Sequence, residues 1–337
     1  MGEAQAAAAD DPYAAYWNPA GLASILYPSA GLTYNSALEG VDQQYLSVAY
    51  PVERGTTLDL NLTRLGMSSF QGYDAQGVQT RKVGASDYAV GLALGRTVLR
   101  DEQGRAFLNL GANLKAIREQ LDTVSAQTYA ADLGAMVYLL REAGLTAGPD
   151  PGLRLAFTAR NIGPGLKFDR DAAALPATYA FGAAWRGYPR GDALTVSADI
   201  VDSRAQGVYG ALGVEYTAFR MVALRVGYRT GQDIGMGFRA GVGFKLKVVE
   251  IDYAFAGFGD LGTMHRAAIT ARFGGPVEAT SPEELMLRQA LERGQRYMNE
   301  GRFYEAVLQF DEVLKLDPGN RKALELMRQS HDRMQQK

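Results

Sequence analysis

The sequence predicts a mainly β protein: a closed antiparallel transmembrane β-barrel of about 14 strands followed by a small α-helical C-terminal module. Three observations predict this fold. Apolar residues recur at every second position up to about residue 275 and at helical spacing after it. Several of the period-two segments are about ten residues long, which is the length that a tilted membrane strand requires. Their number is even, as in single-chain bacterial barrels.

Composition excludes several classes of function. The chain has 337 residues, and 35 Lys and Arg oppose 37 Asp and Glu, so no net field points to nucleic acid. It has no cysteine, which excludes disulfides, thiol catalysis and zinc–thiolate sites. Its two histidines, His265 and His331, are far apart in sequence, which makes histidine-rich metal sites and histidine-based catalysis poor hypotheses.

The strand pattern is clear in residues 57–64, where Leu58, Leu60 and Leu62 alternate with polar residues, and again in residues 238–247. Such alternation fits two architectures. A soluble sandwich or barrel buries the apolar face, whereas a membrane barrel turns it towards lipid and lines the lumen with charged and small residues. The alternation alone does not separate these two.

Three further features favour the membrane barrel. Fourteen candidate strands lie near residues 28–36, 43–51, 56–65, 86–97, 106–117, 127–140, 152–161, 176–186, 193–202, 207–217, 220–229, 236–247, 248–256 and 264–273. Short turns alternate with longer loops such as 66–85 and 163–174, although the 141–151 connection is longer than this rule expects. Aromatic residues typical of a membrane interface cluster at strand ends: Tyr50, Trp185, Tyr216, Phe219, Tyr228, Phe255 and Phe273.

In this barrel the polar side chains of each strand face the lumen. We expect them to pair with one another in a wet interior rather than to form a dedicated substrate path. The predicted lumen-lining residues are Asp59, Asn61, Asn113, Lys115, Arg154, Arg160, Asp199, Arg225, Arg229, Arg239, Lys245, Lys247, Glu250 and Asp252.

Beyond Phe273 the pattern becomes helical. A Gly-Gly-Pro sequence ends the strand region, and Ser281 followed by Pro282 fits a helix start. Residues 287–320 resemble a tetratricopeptide repeat, in which small residues of one helix receive bulky residues of the next. The matching positions are Gly294, Tyr297, Ala306, Phe310 and Pro318, while Ala290 and Arg293 depart from the usual pattern. A plain helical hairpin is the alternative.

The N-terminal segment carries a second resemblance, on the residues Asp10, Asp11, Pro12, Tyr16, Trp17, Asn18, Pro19 and Gly21. It resembles the start of the FadL-like outer-membrane proteins, most closely the PorV/PorQ branch, as does the Asn161-Ile162-Gly163 turn. The resemblance implies that residues 1–26 form a plug, 27–275 a 14-stranded outer-membrane barrel, 276–281 a linker and 282–337 a periplasmic helical module. The segment lacks a secretory signal, so we expect a mature or truncated form.

The sequence carries no enzymatic motif. His265 with Asp260 is a weak candidate dyad, the glycines of residues 235–241 do not fit a nucleotide loop, and we expect no cofactor and no metal site.

Two functions remain open. By resemblance to PorV-like proteins, the chain is a non-enzymatic component of a surface or protein-secretion assembly whose helical repeat docks a periplasmic or outer-membrane partner. By resemblance to FadL-like proteins, it is a passive transporter of small hydrophobic molecules. The repeat and a polar, tightly packed plug favour the first function, and an apolar lumen pocket favours the second. The partners expected in either case are outer-membrane lipid and protein, not nucleic acid.

Overall fold

The computed structural model describes residues 1–36, 40–101, 104–139, 152–168, 172–232, 235–277 and 282–335. The chain divides into two compact units, Met1–Val277 and Glu278–Lys337.

The first unit is a closed barrel of 14 antiparallel strands, which confirms the predicted barrel and its strand number. The strands, numbered in chain order, are β1 Ser29–Ser36, β2 Val41–Glu53, β3 Thr56–Tyr73, β4 Gln79–Arg100, β5 Ala106–Leu121, β6 Val124–Leu139, β7 Gly152–Ile162, β8 Thr178–Gly187, β9 Ala193–Ser203, β10 Gly207–Ala218, β11 Val222–Arg229, β12 Phe238–Lys245, β13 Val249–Gly257 and β14 Thr263–Arg272. Each strand pairs with its neighbours in sequence, and β1 pairs with β14 to close the barrel.

The apolar side chains of the strands face outward. Leu60, Leu114 and Ile200 are 58%, 67% and 66% exposed, whereas their polar neighbours Asp59 and Asn113 are each 1% exposed. A soluble barrel would bury the leucines, so this arrangement is the one that a surrounding hydrocarbon phase requires.

The two rims of the barrel differ. We call the rim where β1 begins and β14 ends the terminal rim, and the opposite one the loop rim. The turn after Glu53 is at the terminal rim, where Gly55 has a φ of +89°, a conformation that glycine adopts without strain. The 141–151 connection at this rim lies outside the described residues.

At the loop rim, the prediction of a loop over residues 66–85 is wrong. β3 and β4 continue past their neighbours and pair as far as Tyr73 and Gln79, so that residues 68–84 form a two-stranded hairpin. The Asp74 carboxylate closes it by accepting hydrogen bonds from the backbone N–H groups of Gln76 and Val78, at 2.9 and 2.8 Å. These hydrogen bonds define the turn of the hairpin, whose strands have no regular alternation of apolar and polar residues.

Strand ends also shift by a few residues elsewhere. The predicted strand 220–229 begins later, at Val222, because Phe219 and Arg220 adopt positive φ values of 52° and 58° in the preceding turn. The predicted strand 236–247 is shorter, Phe238–Lys245, since Gly237 has a φ of +66°. In the 163–174 connection a two-residue ladder joins Leu166–Lys167 to Ala172–Ala173.

The N-terminal segment, which we define as residues 1–26, contains the helix α1 Ala14–Trp17 and a 3-10 helix, Pro19–Ser24. It lies against the inward faces of the strands. A Cβ on Gly111 of β5 would be 2.2 Å from the Pro19 carbonyl carbon, and one on Gly134 of β6 would be 2.0 Å from Asn18 Oδ1. These strand positions therefore accept only glycine while the segment is in place.

The second unit contains three helices, α2 Pro282–Asn299, α3 Phe303–Leu316 and α4 Arg321–Gln335. Gly294 of α2 meets Phe310 of α3 closely enough that an added Cβ would be 2.4 Å from the phenyl ring. Among the described residues, the helices are too short or too polar to cross a membrane.

Candidate functional site

The N-terminal segment is fixed to the barrel wall by charge. Asp10 Oδ2 pairs with Arg186 Nη1 of β8 at 2.7 Å and with Arg154 Nη1 of β7 at 3.2 Å. Burial opposes ionisation of the Asp10 carboxyl, but the guanidinium groups of Arg186 and Arg154 outweigh it and hold the pKa of Asp10 well below its ordinary value. Glu3 makes a second set of ion pairs, with Arg229 at 3.2 Å and Arg239 at 3.1 Å.

Backbone groups of the segment add neutral and charge-assisted hydrogen bonds. The Asp199 carboxylate of β9 accepts from the N–H groups of Gln5 and Ala6, both at 2.8 Å. Ser47 donates to the carbonyl of Pro12 at 2.7 Å. Polar groups of the segment are therefore satisfied by the wall, which is what burial of an irregular backbone requires.

The resemblance residues of the segment take different positions. Asn18 is fully buried, where its Nδ2 donates to the Ala6 carbonyl at 2.7 Å and its Oδ1 accepts from Ala20 N at 3.1 Å. Pro19 starts the 3-10 helix, and a Cβ on Gly21 would be 2.2 Å from the Ala9 oxygen. Asp11 is exposed to the lumen and accepts from Tyr13 N at 2.9 Å.

Lumen-facing polar residues form two separate clusters. In the first, Asp59, Asn61 and Asn113 are joined by hydrogen bonds of 2.9 and 3.3 Å, and Asn113 continues to Asp132 at 3.2 Å. Lys115 pairs with the same Asp132 at 2.7 Å. Neutral amides here alternate with charges, so that each carboxylate has a donor.

The second cluster centres on Arg225 of β11. Its guanidinium pairs with Glu215 at 2.5 Å, with Glu250 at 3.1 Å and with Asp252. Lys245 lies 3.2 Å from Glu215 and completes the cluster. The predicted Lys247 lies outside it, exposed in the connection after β12.

Sequence reasoning missed four of these charged groups, namely Arg186, Asp132, Glu215 and Glu3. Arg186 and Asp132 each lie next to an outward-facing apolar residue, Trp185 and Leu133 respectively. The two-residue period would therefore have assigned both to the lumen. Glu3 gave no such signal, because the N-terminal segment has no period.

A polar cavity of about 410 Å³ lies in the lumen, and we call it the vestibule. Trp17, Tyr16 and Glu3 of the N-terminal segment line it, together with loop-rim residues such as Pro176 and Gln206. It is therefore on the loop-rim side of the segment. Charged groups of five strands contribute to its wall: Lys115, Asp132, Arg160, Arg229 and Arg266.

An apolar groove of about 540 Å³ lies across strands β7 to β11. Outward-facing Leu155, Phe181 and Leu212 line it, with Gly182 and Gly210 among the small residues beside them. The groove thus opens on the lipid-facing surface and extends to the buried Asp199 of the wall.

The candidate catalytic dyad of His265 and Asp260 does not form. His265 bonds to the Tyr253 hydroxyl at 2.7 Å and to the Thr263 hydroxyl at 2.9 Å rather than to Asp260. In the described ranges, no group of three His, Asp or Glu side chains is arranged to hold a metal ion.

No protein-family model matches this chain, and neither does any curated protein. Solved structures do. The toluene transporter TbuX of Ralstonia pickettii aligns with a TM-score of 0.55 at 16% identity, over 81% of this chain and 97% of that one. The CymD monoaromatic hydrocarbon channel aligns with a TM-score of 0.50 at 12% identity, over 80% and 95%. A Pseudomonas aeruginosa FadL homologue aligns with a TM-score of 0.47 at 13% identity, over 80% and 96%.

The chain shares its barrel fold with TbuX and CymD. The names of these two neighbours describe a transporter and a channel. The narrower resemblances, to the PorV/PorQ branch and to a tetratricopeptide repeat, stay predictions.

The predicted repeat residues lie in the second unit. Gly294, Ala306 and Phe310 are buried, Tyr297 is half-buried beneath Arg302 with the guanidinium 4.5 Å from the ring centre, and Pro318 is exposed after α3. Small and bulky residues therefore interlock between α2 and α3.

Proposed function

We propose that this chain is an outer-membrane barrel through which small molecules pass. The observation that carries the proposal is the fold shared with a toluene transporter and a hydrocarbon channel over nearly the whole of those chains. The exposed leucines and valines of the strands support a location in the outer membrane. Of the two functions left open by the sequence, the comparisons favour transport over a role in secretion.

We assign the terminal rim to the periplasm. With an even number of strands, the first strand begins and the last strand ends at the same rim. Residues 1–26 therefore enter the first strand, and residues 282–337 follow the last strand, on the periplasmic side. The vestibule then faces the outside of the cell, and a solute enters it from there.

In this proposal residues 1–26 act as a plug. They separate the vestibule from the terminal rim and are held by Asp10, Glu3 and Asp199. Passage through the lumen therefore requires the segment to shift, and its ion pairs set how readily it does so.

Uptake into proteoliposomes tests this function. Vesicles containing the protein should accumulate a small labelled solute faster than protein-free vesicles. The variant Asp10→Asn, which releases one anchor of the segment, should raise the rate. The variant Asp202→Asn, a change of the same charge at an exposed position, should not. Uptake equal to that of protein-free vesicles for all three proteins would refute transport.

A second candidate function is protein docking by the helical unit. The interlocked Gly294 and Phe310, with exposed Tyr304 and Leu308 on α3, favour a repeat that presents an apolar surface to a partner. Purification from detergent with and without residues 281–337 tests this idea. A protein that co-purifies only with the full chain supports docking, and an identical set of proteins from both forms contradicts it.

A further inference from the structure

The vestibule carries more positive than negative charge. Four cationic side chains line it, namely Lys115, Arg160, Arg229 and Arg266, against the two carboxylates of Glu3 and Asp132. If the charged side chains of the wall only neutralised one another, the numbers of cations and carboxylates around the vestibule would be equal.

Both carboxylates are already committed to other cations. Asp132 pairs with Lys115 at 2.7 Å and accepts a hydrogen bond from the backbone N–H of Asn161, also at 2.7 Å. Glu3 is shared between Arg229 and Arg239. Within the described part of the chain, no ion pair to a carboxylate is available to Arg160 or Arg266.

Arg160 in particular makes no direct ion pair among the described residues, although the Asp199 carboxylate lies within range of its charge. Its Nη1 donates a long hydrogen bond of 3.4 Å to the carbonyl of Tyr16, and its Nε has no hydrogen-bond partner among the described residues. Such a partly buried guanidinium is poorly compensated, and a bound anion would stabilise it.

Aromatic rings lie directly beside these cations. The Arg160 guanidinium is 5.5 Å from the centre of the Trp17 ring, and Arg229 is 3.8 Å from that of Tyr209. Tyr16 packs edge-on against both Trp17 and Tyr45, at 5.1 and 5.5 Å between ring centres. The vestibule thus combines flat apolar surfaces with an excess of positive charge.

We infer that the vestibule binds a small aromatic carboxylate, with the carboxylate at Arg160 and the ring against Trp17 and Tyr16. This inference rests on the proposed function and specifies the solute. The cavity of about 410 Å³ is large enough for a single-ring molecule. A neutral hydrocarbon of the same shape would displace water from Arg160 without replacing its hydrogen bonds, and would bind more weakly.

Intrinsic fluorescence tests the inference, because the chain has two tryptophans, Trp17 in the vestibule and Trp185 on the outer surface. In the background Trp185→Phe, benzoate should change the Trp17 emission in a saturable way. Benzyl alcohol, the neutral analogue, should require at least a ten-fold higher concentration. The converse variant Trp17→Phe, in which only Trp185 reports, should show no saturable response and so measures nonspecific partitioning.

Charge variants locate the site. Arg160→Gln should weaken benzoate binding about ten-fold, Arg160→Lys should weaken it less, and Arg96→Gln, which removes an exposed arginine elsewhere on β4, should leave it unchanged. If Arg160→Gln does not fold, Arg160→Lys supplies the test, with a weakening of benzoate binding that benzyl alcohol does not show. Equal binding of benzoate and benzyl alcohol, or unchanged benzoate binding in every Arg160 variant that folds, would overturn the inference.

The two proposals fail separately. Uptake of solutes into proteoliposomes without any preference for benzoate would leave transport standing and remove the aromatic-anion site. Saturable benzoate binding without uptake of any solute would leave the site standing and remove transport.

Discussion

Asp10 and Arg186, 176 positions apart in the chain, are joined by an ion pair of 2.7 Å between the N-terminal segment and strand β8. Arg154 of β7 binds the same carboxylate oxygen. Two guanidinium groups that would repel each other in an empty lumen are thus held together by one residue of the segment, so the folding of the wall and the seating of the segment are coupled.

Replacing Asp10 tests this coupling. Asp10→Asn removes the ion-pair partner of two mostly buried arginines, and we expect a loss of about 3 kcal/mol of stability. The midpoint of heat denaturation in detergent, followed by the change in electrophoretic mobility, should fall. Asp202→Asn serves as the control, and an equal midpoint for both variants would contradict the role given to Asp10.

The same ion pairs predict resistance to acid. A carboxyl whose folded-state pKa is lowered contributes stability above its unfolded-state pKa and loses it only as the pH falls through the folded-state value. Asp10 therefore stays ionised at about pH 4, near the pKa of an ordinary aspartate. Hydrogen exchange of residues 8–17, corrected for intrinsic rates, should show the same protection at pH 7 and pH 4. Loss of protection at pH 4 to the level of Asp10→Asn would count against this assignment.

Gly→Ala substitutions in the barrel wall should disturb the structure more than the addition of one methyl group usually does. Gly111→Ala places a methyl group 2.2 Å from the Pro19 carbonyl carbon, which neither backbone can accommodate. We expect the N-terminal segment to be displaced, a cost of about 1–3 kcal/mol, and a rise in single-channel conductance in planar bilayers. Gly210→Ala, where the nearest atom is 3.5 Å away, is the matched change and should conduct like the unmodified protein.

The outward-facing side chains allow a test of whether the barrel surface contacts hydrocarbon. Leu114 lies in the middle of β5 and is 67% exposed, so Leu114→Arg should cost about 2–4 kcal/mol in a bilayer. Equilibrium refolding into lipid vesicles measures this cost. Leu308→Arg, at a 48% exposed leucine of the helical unit, should change the refolding free energy little. A neutral effect at Leu114 would show that this face does not meet hydrocarbon.

The helical unit can be tested within the full chain. Gly294→Ala puts a methyl group 2.4 Å from the Phe310 ring and should separate α2 from α3. Hydrogen exchange should increase in both helices and stay unchanged in the barrel. Gly319→Ala, with its nearest neighbour 3.6 Å away, is the control, and equal protection in the two variants would contradict close packing at Gly294.

Sequence reasoning was most successful where a period exists. The two-residue alternation of Leu58, Leu60 and Leu62 was sufficient to assign a strand with one apolar face, because a strand leaves each side chain only two directions. Turning that face towards lipid needed the strand number, the loop lengths and the aromatic residues at strand ends. It failed at residues 68–84, where no alternation marks the hairpin and the turn depends on Asp74. The vestibule could not be predicted either, since Arg160 and Trp17 lie in elements that are far apart in sequence.

By itself the sequence determined the strands, their number and the apolar face of each, since these follow from local periodicity, and the requirement that backbone groups in a membrane be paired then closes the strands into a barrel. Only the tertiary structure decided what the lumen contains. The seating of residues 1–26 against Gly111 and Gly134, and the surplus of positive charge left around Trp17, arise from contacts between residues more than a hundred positions apart in many cases. Such contacts have no period, and the chain must close into a barrel before they exist.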